Sequence, residues 1–180
     1  MGLVVALESE PGVAIAGDAR VTEDGTVRSE ERRRVFDFGT VGVGAVGDGG
    51  ALDQFQHRFG TALRSREFEV EQGPDIEGVA RIAARQAEHA SVDAAVAARD
   101  ADGTPRLREV GAAGEILDGP AVALGGGTAP ALGRLESVSP AGIDDLVAAV
   151  RDVVGTVAQR DADVGGDVEV WTLPADADGT

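Results

Sequence analysis

The chain has 180 residues, enough for one domain with a sizeable core, and carries 32 acidic against 16 basic residues, a net charge of −16. This charge repels nucleic acid and anionic membranes, so we expect neither as a partner, and we interpret it as an adaptation to high salt. The absence of cysteine excludes a disulfide, a thiol nucleophile and a cysteine metal site, and two histidines are too few for a typical zinc cluster.

Targeting signals are not recognisable in the sequence. No apolar run approaches the ~20 residues that a membrane span needs. The N-terminus has neither a basic flank nor the apolar stretch of a signal peptide. We therefore expect a cytoplasmic protein, and the sequence suggests no cofactor.

The first predicted element is a β-hairpin. Two short apolar runs, 3–7 and 13–16, flank a turn at 9–12. The second run ends at Gly17 and Asp18, so it delivers a carboxylate to the end of a buried strand. A strand that begins at residue 2 or 3 holds the start of the chain beside this carboxylate. An amine in such a position is typical of one class of hydrolases.

The following elements lead from a polar connection into glycine-rich strands and two helices. They are a connection at 23–31, strands at 35–38 and 41–47, a helix from 48 to about 66, and a helix from 75, with Asp75 as its N-cap, to about 89. We interpret His57 and His89, on or near these helices, as surface or helix-end residues. Three arginines precede the first of these strands, and we expect Arg32 to lie on a solvated face.

The second half of the chain returns to strands around one more helix. The predicted elements are a hairpin of 92–98 and 106–110, strands at 115–118 and 121–124 that continue its sheet, a glycine loop at 125–128, a helix at 142–159, a loop at 160–166, and a closing strand at 167–173. This order predicts an α+β fold, a four-layer αββα sandwich of two antiparallel sheets. We expect one domain over 1–174 and an acidic tail at 175–180.

Five local motifs occur in a characteristic order. They are AGDARVT at 16–22, RRVF at 33–36, GAVGD at 44–48, GGGT at 125–128 with GRLES at 133–137, and QRD at 159–161 with GG at 165–166. Together they resemble the motifs of the β-type subunits of the 20S proteasome and of the bacterial HslV protease. The resemblance covers nearly the whole chain and implies the fold of the threonine N-terminal nucleophile hydrolases.

The resemblance also implies where a catalytic site would lie, and its chemistry is incomplete there. In the family, an N-terminal threonine attacks the peptide carbonyl and its own amine serves as base. The threonine position falls on Gly2, which has no hydroxyl. Arg34 stands at the position of a lysine beside the nucleophile, and Gly126 and Val164 stand where the family has serines.

Three further positions match the family. Asp18 and Asp161 are retained, and Gly44 corresponds to the glycine whose backbone N–H stabilises the oxyanion. Purely structural roles remain open for the two retained aspartates. Asp18 could simply pair with Arg34, and the sole role of Asp161 could be to cap the loop before the last strand.

The sequence leaves three functions open. The first is a catalytically inactive proteasome-β-like protein with a structural or regulatory role, as a homo-oligomer, with proteasome-like subunits, or as a stand-alone homologue. The second is an active threonine-type peptidase or amidohydrolase on the same scaffold, for which Thr22 and Thr128 are the candidate nucleophiles. The third is a module that binds a small ligand in the vacated cleft.

Overall fold

The computed structural model describes residues 1–67 and 73–175. Within these ranges the elements are β1 (Leu3–Ser9), β2 (Gly12–Gly17), β3 (Val21–Glu23), β4 (Thr26–Ser29), β5 (Val35–Asp37), β6 (Gly42–Val46), α1 (Gly49–Glu67), α2 (Ile76–Ala90), β7 (Asp93–Arg99), β8 (Pro105–Val110), β9 (Ile116–Asp118), β10 (Ala121–Gly125), α3 (Thr128–Ser137), α4 (Ile143–Ala158) and β11 (Glu169–Pro174).

The strands form two main antiparallel sheets. One has the order β10-β1-β2-β11 and the other the order β5-β6-β7-β8-β9. Both central strands of the first sheet are apolar along nearly their whole length, as expected for strands that are buried on both faces.

Three apolar clusters separate the layers. One lies between α1 and α2 and the five-stranded sheet, one lies between α3 and α4 and the four-stranded sheet, and the third lies between the two sheets. The layers therefore run helices, sheet, sheet, helices, which confirms the predicted αββα sandwich. No helix among the described residues is both long and apolar enough to cross a membrane.

Three details of the sequence prediction were wrong. Residues 23–31 are not a plain connection, because β3 and β4 pair there as a separate hairpin. A fourth helix, α3, follows the glycine loop. Strand β10 does not continue the sheet of β7–β9 but pairs with β1 in the other sheet. The tail predicted at 175–180 lies outside the described residues except for Ala175.

Candidate functional site

Asp18 joins three segments of the chain at the end of β2. Its Oδ1 accepts the N–H of Leu3 at 2.8 Å, and its Oδ2 accepts the N–H groups of Gly165 at 2.8 Å and Arg20 at 3.3 Å. The side chain is inaccessible to solvent. This carboxylate therefore holds the first strand, its own loop and the loop before β11 in one fixed arrangement.

Arg34, the residue directly before β5, places its side chain beside Asp18. Its side chain is 4% exposed, and its Nε lies 3.6 Å from Oδ1 of Asp18. Its Nη2 donates to the carbonyl of Arg20 at 2.9 Å. Burial lowers the pKa of Arg34, the charge of Asp18 opposes that shift, and the nearby charge of Arg32 adds to it. An arginine nevertheless keeps its proton in proteins, so this cation cannot exchange protons with a neighbour.

Gly2 lies directly against this cation. A Cβ placed on Gly2 would overlap the Cζ, Nε and Nη2 atoms of the Arg34 guanidinium. The guanidinium thus fills the space into which a side chain at position 2 would project. The carbonyl of Gly2 accepts the N–H of Gly126 at 3.0 Å, which joins β1 to the loop after β10.

Residues of two loops, the one after β10 and the one before β11, also belong to the site. A Cβ on Gly126 would lie 3.1 Å from Oδ2 of Asp161 and 3.7 Å from a methyl group of Val164. Oδ1 of Asp161 accepts the N–H of Asp163 at 3.0 Å, so this side chain also stabilises its own loop. Val164 is fully buried in the apolar cluster under α4. The structure thus brings together Gly2, Asp18, Arg34, Gly126, Asp161 and Val164, which are far apart in the sequence.

A cleft of about 350 Å³ opens beside Arg34. The residues that line it include Met1, Thr22, Arg32, Gly47, Asp48, Gly49, Ser91 and Asp93. Its walls come from the β3–β4 hairpin, the start of α1 and the turn before β7, and Arg34 also lines it. The cleft therefore touches the group of residues around Gly2 at Arg34, and Met1, the residue before Gly2, lines it as well.

One comparison decides the family. The family model described as "Proteasome subunit" matches residues 2–173. The chain belongs to the proteasome subunit family. A search of curated proteins found no match. The family match spans both sheets and both helical layers, in agreement with the resemblance to the β-type subunits.

Gly44 of this proteasome-family chain pairs with Val35, the residue that follows Arg34. It is in the middle of β6, and a Cβ there would lie 2.5 Å from Val4 and 2.7 Å from Ile15, side chains of the opposite sheet. Glycine at this position lets the two sheets approach closely. Gly47 and Gly49 line the cleft, whereas Gly44 does not.

The two alternative threonines differ in position. Thr22 lines the cleft, and its hydroxyl donates to Oδ1 of Asp163 at 2.5 Å. Thr128 is the first residue of α3 and is not among the residues that line the cleft. Asp163 was not singled out from the sequence, although it lies inside the 159–166 motif. Its contact with Thr22 spans 141 positions, and only the fold brings the two residues together.

The remaining polar candidates lie elsewhere. His57 and His89 are exposed on α1 and α2, as predicted. Among the described residues, no group of histidines and carboxylates could hold a metal ion. Arg33 is exposed, whereas the Arg32 side chain is 22% exposed and bonds Asp53, so Arg32 is less solvated than predicted.

Proposed function

We propose that this chain is a non-catalytic subunit of the proteasome family with a structural or regulatory role. The observation that carries the proposal is the overlap between a Cβ at residue 2 and the guanidinium of Arg34. The nucleophile position lacks a hydroxyl, and the space for one is filled by a cation with ion-pair and hydrogen-bond partners of its own. Restoring the side chain would require Arg34 to move.

The surroundings of Gly2 support the same proposal. Arg34 is held by Asp18 and by a backbone carbonyl, and it cannot act as a titratable cation. Gly126 and Val164 supply no hydroxyl that could orient an amine, although Asp161 lies beside them. The contacts of Asp18 and Arg34 hold the N-terminal strand in place, and they need no catalytic group for this.

Assembly with other subunits is the expected setting for such a role. Members of the proteasome subunit family form oligomeric assemblies. We propose that this chain assembles with copies of itself or with proteasome-like subunits in the cytoplasm. Its high negative charge supports the further proposal of a halophilic protein.

The test is a search for activity in the purified protein. Fluorogenic peptides should not be cleaved, and inhibitors that react covalently with a catalytic threonine should leave the intact mass unchanged. The fold should be checked by circular dichroism in the same samples. Covalent labelling of any threonine or serine, together with peptide turnover, would refute a non-catalytic role.

The contact between Thr22 and Asp163 favours one second candidate, a threonine-type hydrolase. A hydroxyl that donates to a carboxylate inside a cleft is the beginning of an activated nucleophile. If this candidate holds, Thr22→Val should abolish both turnover and labelling, while Thr128→Val should change neither. A labelled protein whose label is unaffected by Thr22→Val would exclude Thr22.

A further inference from the structure

A second pocket, of about 310 Å³, lies in the helical layer that covers the four-stranded sheet. Its walls come from the start of α3, the last turn of α4 and the loop before β11. The residues that line it include Gly127, Pro130, Arg134, Thr156, Val157 and Arg160. These residues are not among those that line the cleft beside Arg34. We call this space the helix-end pocket.

Part of the helix-end pocket is apolar. Val157, which is buried in the core under α4, lines it together with the exposed ring of Pro130. Gly127 brings the start of α3 against Val157, because a Cβ on Gly127 would lie 2.5 Å from a methyl group of that valine. This surface favours an aliphatic chain over a strongly hydrated group.

Two guanidinium groups border the same pocket. Arg134 lies one turn after Pro130 on α3, and Arg160 lies one turn after Thr156, just past the end of α4. Arg134 pairs with Asp152 at 2.6 Å. Arg160 is exposed and forms no ion pair with any carboxylate that the structure describes. The guanidinium of Arg160 is therefore available to an external anion.

Asp161 also lines the helix-end pocket, but it does not neutralise Arg160. Its Oδ1 accepts the N–H of Asp163 at 3.0 Å, so its carboxylate stabilises the loop instead. Two arginines against this one aspartate give the lining residues a charge of +1. The chain as a whole carries −16, so an anion meets here a local charge opposite to that of the rest of the protein.

We propose that the helix-end pocket binds a small aliphatic carboxylate. The carboxylate accepts hydrogen bonds from the guanidinium of Arg160, whose planar fork matches it, and the aliphatic chain packs on Pro130 and Val157. Ligand pockets span about 300–1,000 Å³, and this one is at the lower end, so the ligand is small. A phosphate fits less well, because its second charge is repelled by Asp161 and it gains nothing from the apolar surface.

The helix-end pocket adjoins the site around Gly2 through Asp161. A Cβ on Gly126 would lie 3.1 Å from Oδ2 of Asp161, and the N–H of Gly126 donates to the carbonyl of Gly2. The two places thus share one carboxylate but differ in their other lining residues. The proposal goes beyond the non-catalytic role, since it assigns a ligand to a pocket that this role does not use.

The test is titration calorimetry of the full chain with hexanoate, at neutral pH and one fixed salt concentration. Hexanol, which lacks the charge, and inorganic phosphate, which lacks the chain, are the comparison probes. Arg160→Gln removes the proposed anchor, and Arg58→Gln, at an exposed position of α1 in the other helical layer, is its control with the same change in net charge. Thr156→Phe fills the pocket, and Thr156→Val is its control of nearly unchanged size. Circular dichroism must show the native fold for each variant.

We expect hexanoate to bind the wild type at least about tenfold more tightly than either comparison probe, because only hexanoate makes both the charged and the apolar contact. Arg160→Gln should weaken binding at least about tenfold, since a charge-assisted hydrogen bond is lost. Thr156→Phe should abolish binding, and both control variants should bind like the wild type. Amide resonances of Gly127 and Asp161 should shift on titration, which locates the ligand.

The proposal is overturned if hexanoate does not bind, if hexanol or phosphate binds as tightly, or if Thr156→Phe leaves binding intact. It also fails if Arg58→Gln weakens binding as much as Arg160→Gln does. If Arg160→Gln lowers the melting temperature but not the affinity, Arg160 serves only the end of α4, and the proposal is equally wrong. Peptide cleavage tests the non-catalytic role separately: an inactive chain that binds no hexanoate would overturn only the ligand site, and an active chain that binds it only the proposed function.

Discussion

The guanidinium of Arg34 fills the space that a Cβ on Gly2 would take. The observed position of the Arg34 side chain is therefore compatible only with glycine at position 2. A larger residue at position 2 needs a different side chain at position 34, and the ion pair with Asp18 keeps Arg34 where it is.

The pair predicts a strong coupling in stability. Gly2→Thr alone should destabilise the fold by about 1–3 kcal/mol through overpacking, and Arg34→Lys in the same chain should recover much of that loss. Denaturant unfolding can be followed by the fluorescence of Trp171, the only tryptophan, which is buried against Gly42. Gly50→Ala is the control, because a Cβ there meets no other atom within 4 Å. Additive effects of the two substitutions would contradict the overlap between the Cβ and the guanidinium.

Activity should need more than the pair. Gly2→Thr with Arg34→Lys is expected to show weak or no turnover, because groups that act as a unit lose activity non-additively. Adding Gly126→Ser and Val164→Ser should raise peptide cleavage to a measurable level. A Cβ on Gly126 would lie 3.1 Å from Oδ2 of Asp161, so the Asp161 side chain must shift by a few tenths of an ångström to admit the serine.

Two measurements must precede that assay. Intact mass must show that Met1 has been removed, and circular dichroism must show that the buried Val164→Ser change is tolerated. If the fourfold variant is folded, correctly trimmed and inert to both peptides and covalent inhibitors, the assignment of Gly2 to the nucleophile position has to be withdrawn.

Asp18 is expected to be the residue whose charge matters most for stability. Asp18→Asn keeps an oxygen acceptor for Leu3 but leaves the buried guanidinium of Arg34 without its counter-charge. Removing one partner of a buried pair costs about 3–5 kcal/mol. Asp53→Asn, which breaks the exposed pair with Arg32, should cost less than about 1 kcal/mol in the same denaturation experiment. Equal losses would show that burial of the Asp18 pair has no energetic weight.

We expect Glu109 to make the stability of the fold depend on pH in the opposite direction from most carboxylates. Partial burial raises its pKa above the ordinary value of 4.5, and the charges of Asp93 and Glu115 add to the effect. The folded state therefore prefers the neutral acid. The stability that this preference contributes is complete below the ordinary pKa and is lost as the pH rises through the raised pKa.

Glu109→Gln should accordingly raise the melting temperature at about pH 7 and leave it unchanged at a pH below the ordinary pKa. Calorimetry across that range tests the sign. Glu136→Gln on the exposed surface of α3 serves as the control and should give no pH-dependent difference. A stabilisation by Glu109→Gln that grows as the pH falls would contradict the assigned direction.

Salt should stabilise the fold as a whole. A net charge of −16 repels itself in the folded state, and salt at about 1 M screens charges beyond ~3 Å. The melting temperature should therefore rise from low to molar salt. Equal melting temperatures at both salt concentrations would speak against a halophilic protein.

Hydrophobic pattern and motif order were sufficient to predict the sandwich. Uninterrupted apolar runs such as β2 and the apolar stripe of α4 report burial directly, because each must face a core. The hairpin of β3 and β4 was missed because it has almost no apolar face. Its usable signal was the turn at Asp24 and Gly25, both with positive φ.

Helix α3 was missed for a different reason. It contains Pro130 and Gly133, both poor helix formers, and buries only Ala131 and Leu135. Its stability comes from packing on α4 and β10, which a local pattern does not contain.

The sequence by itself determined that residue 2 has no hydroxyl and that arginine replaces the family's lysine. Only the tertiary structure showed that these two changes are coupled, because it brings Gly2 and Arg34, 32 positions apart in the sequence, into direct contact. The same holds for ion pairs between elements, such as Arg32 with Asp53 and Arg108 with Glu77. Which carboxylates lie within reach of a guanidinium depends on how the helices pack, and the composition of the chain predicts only their number.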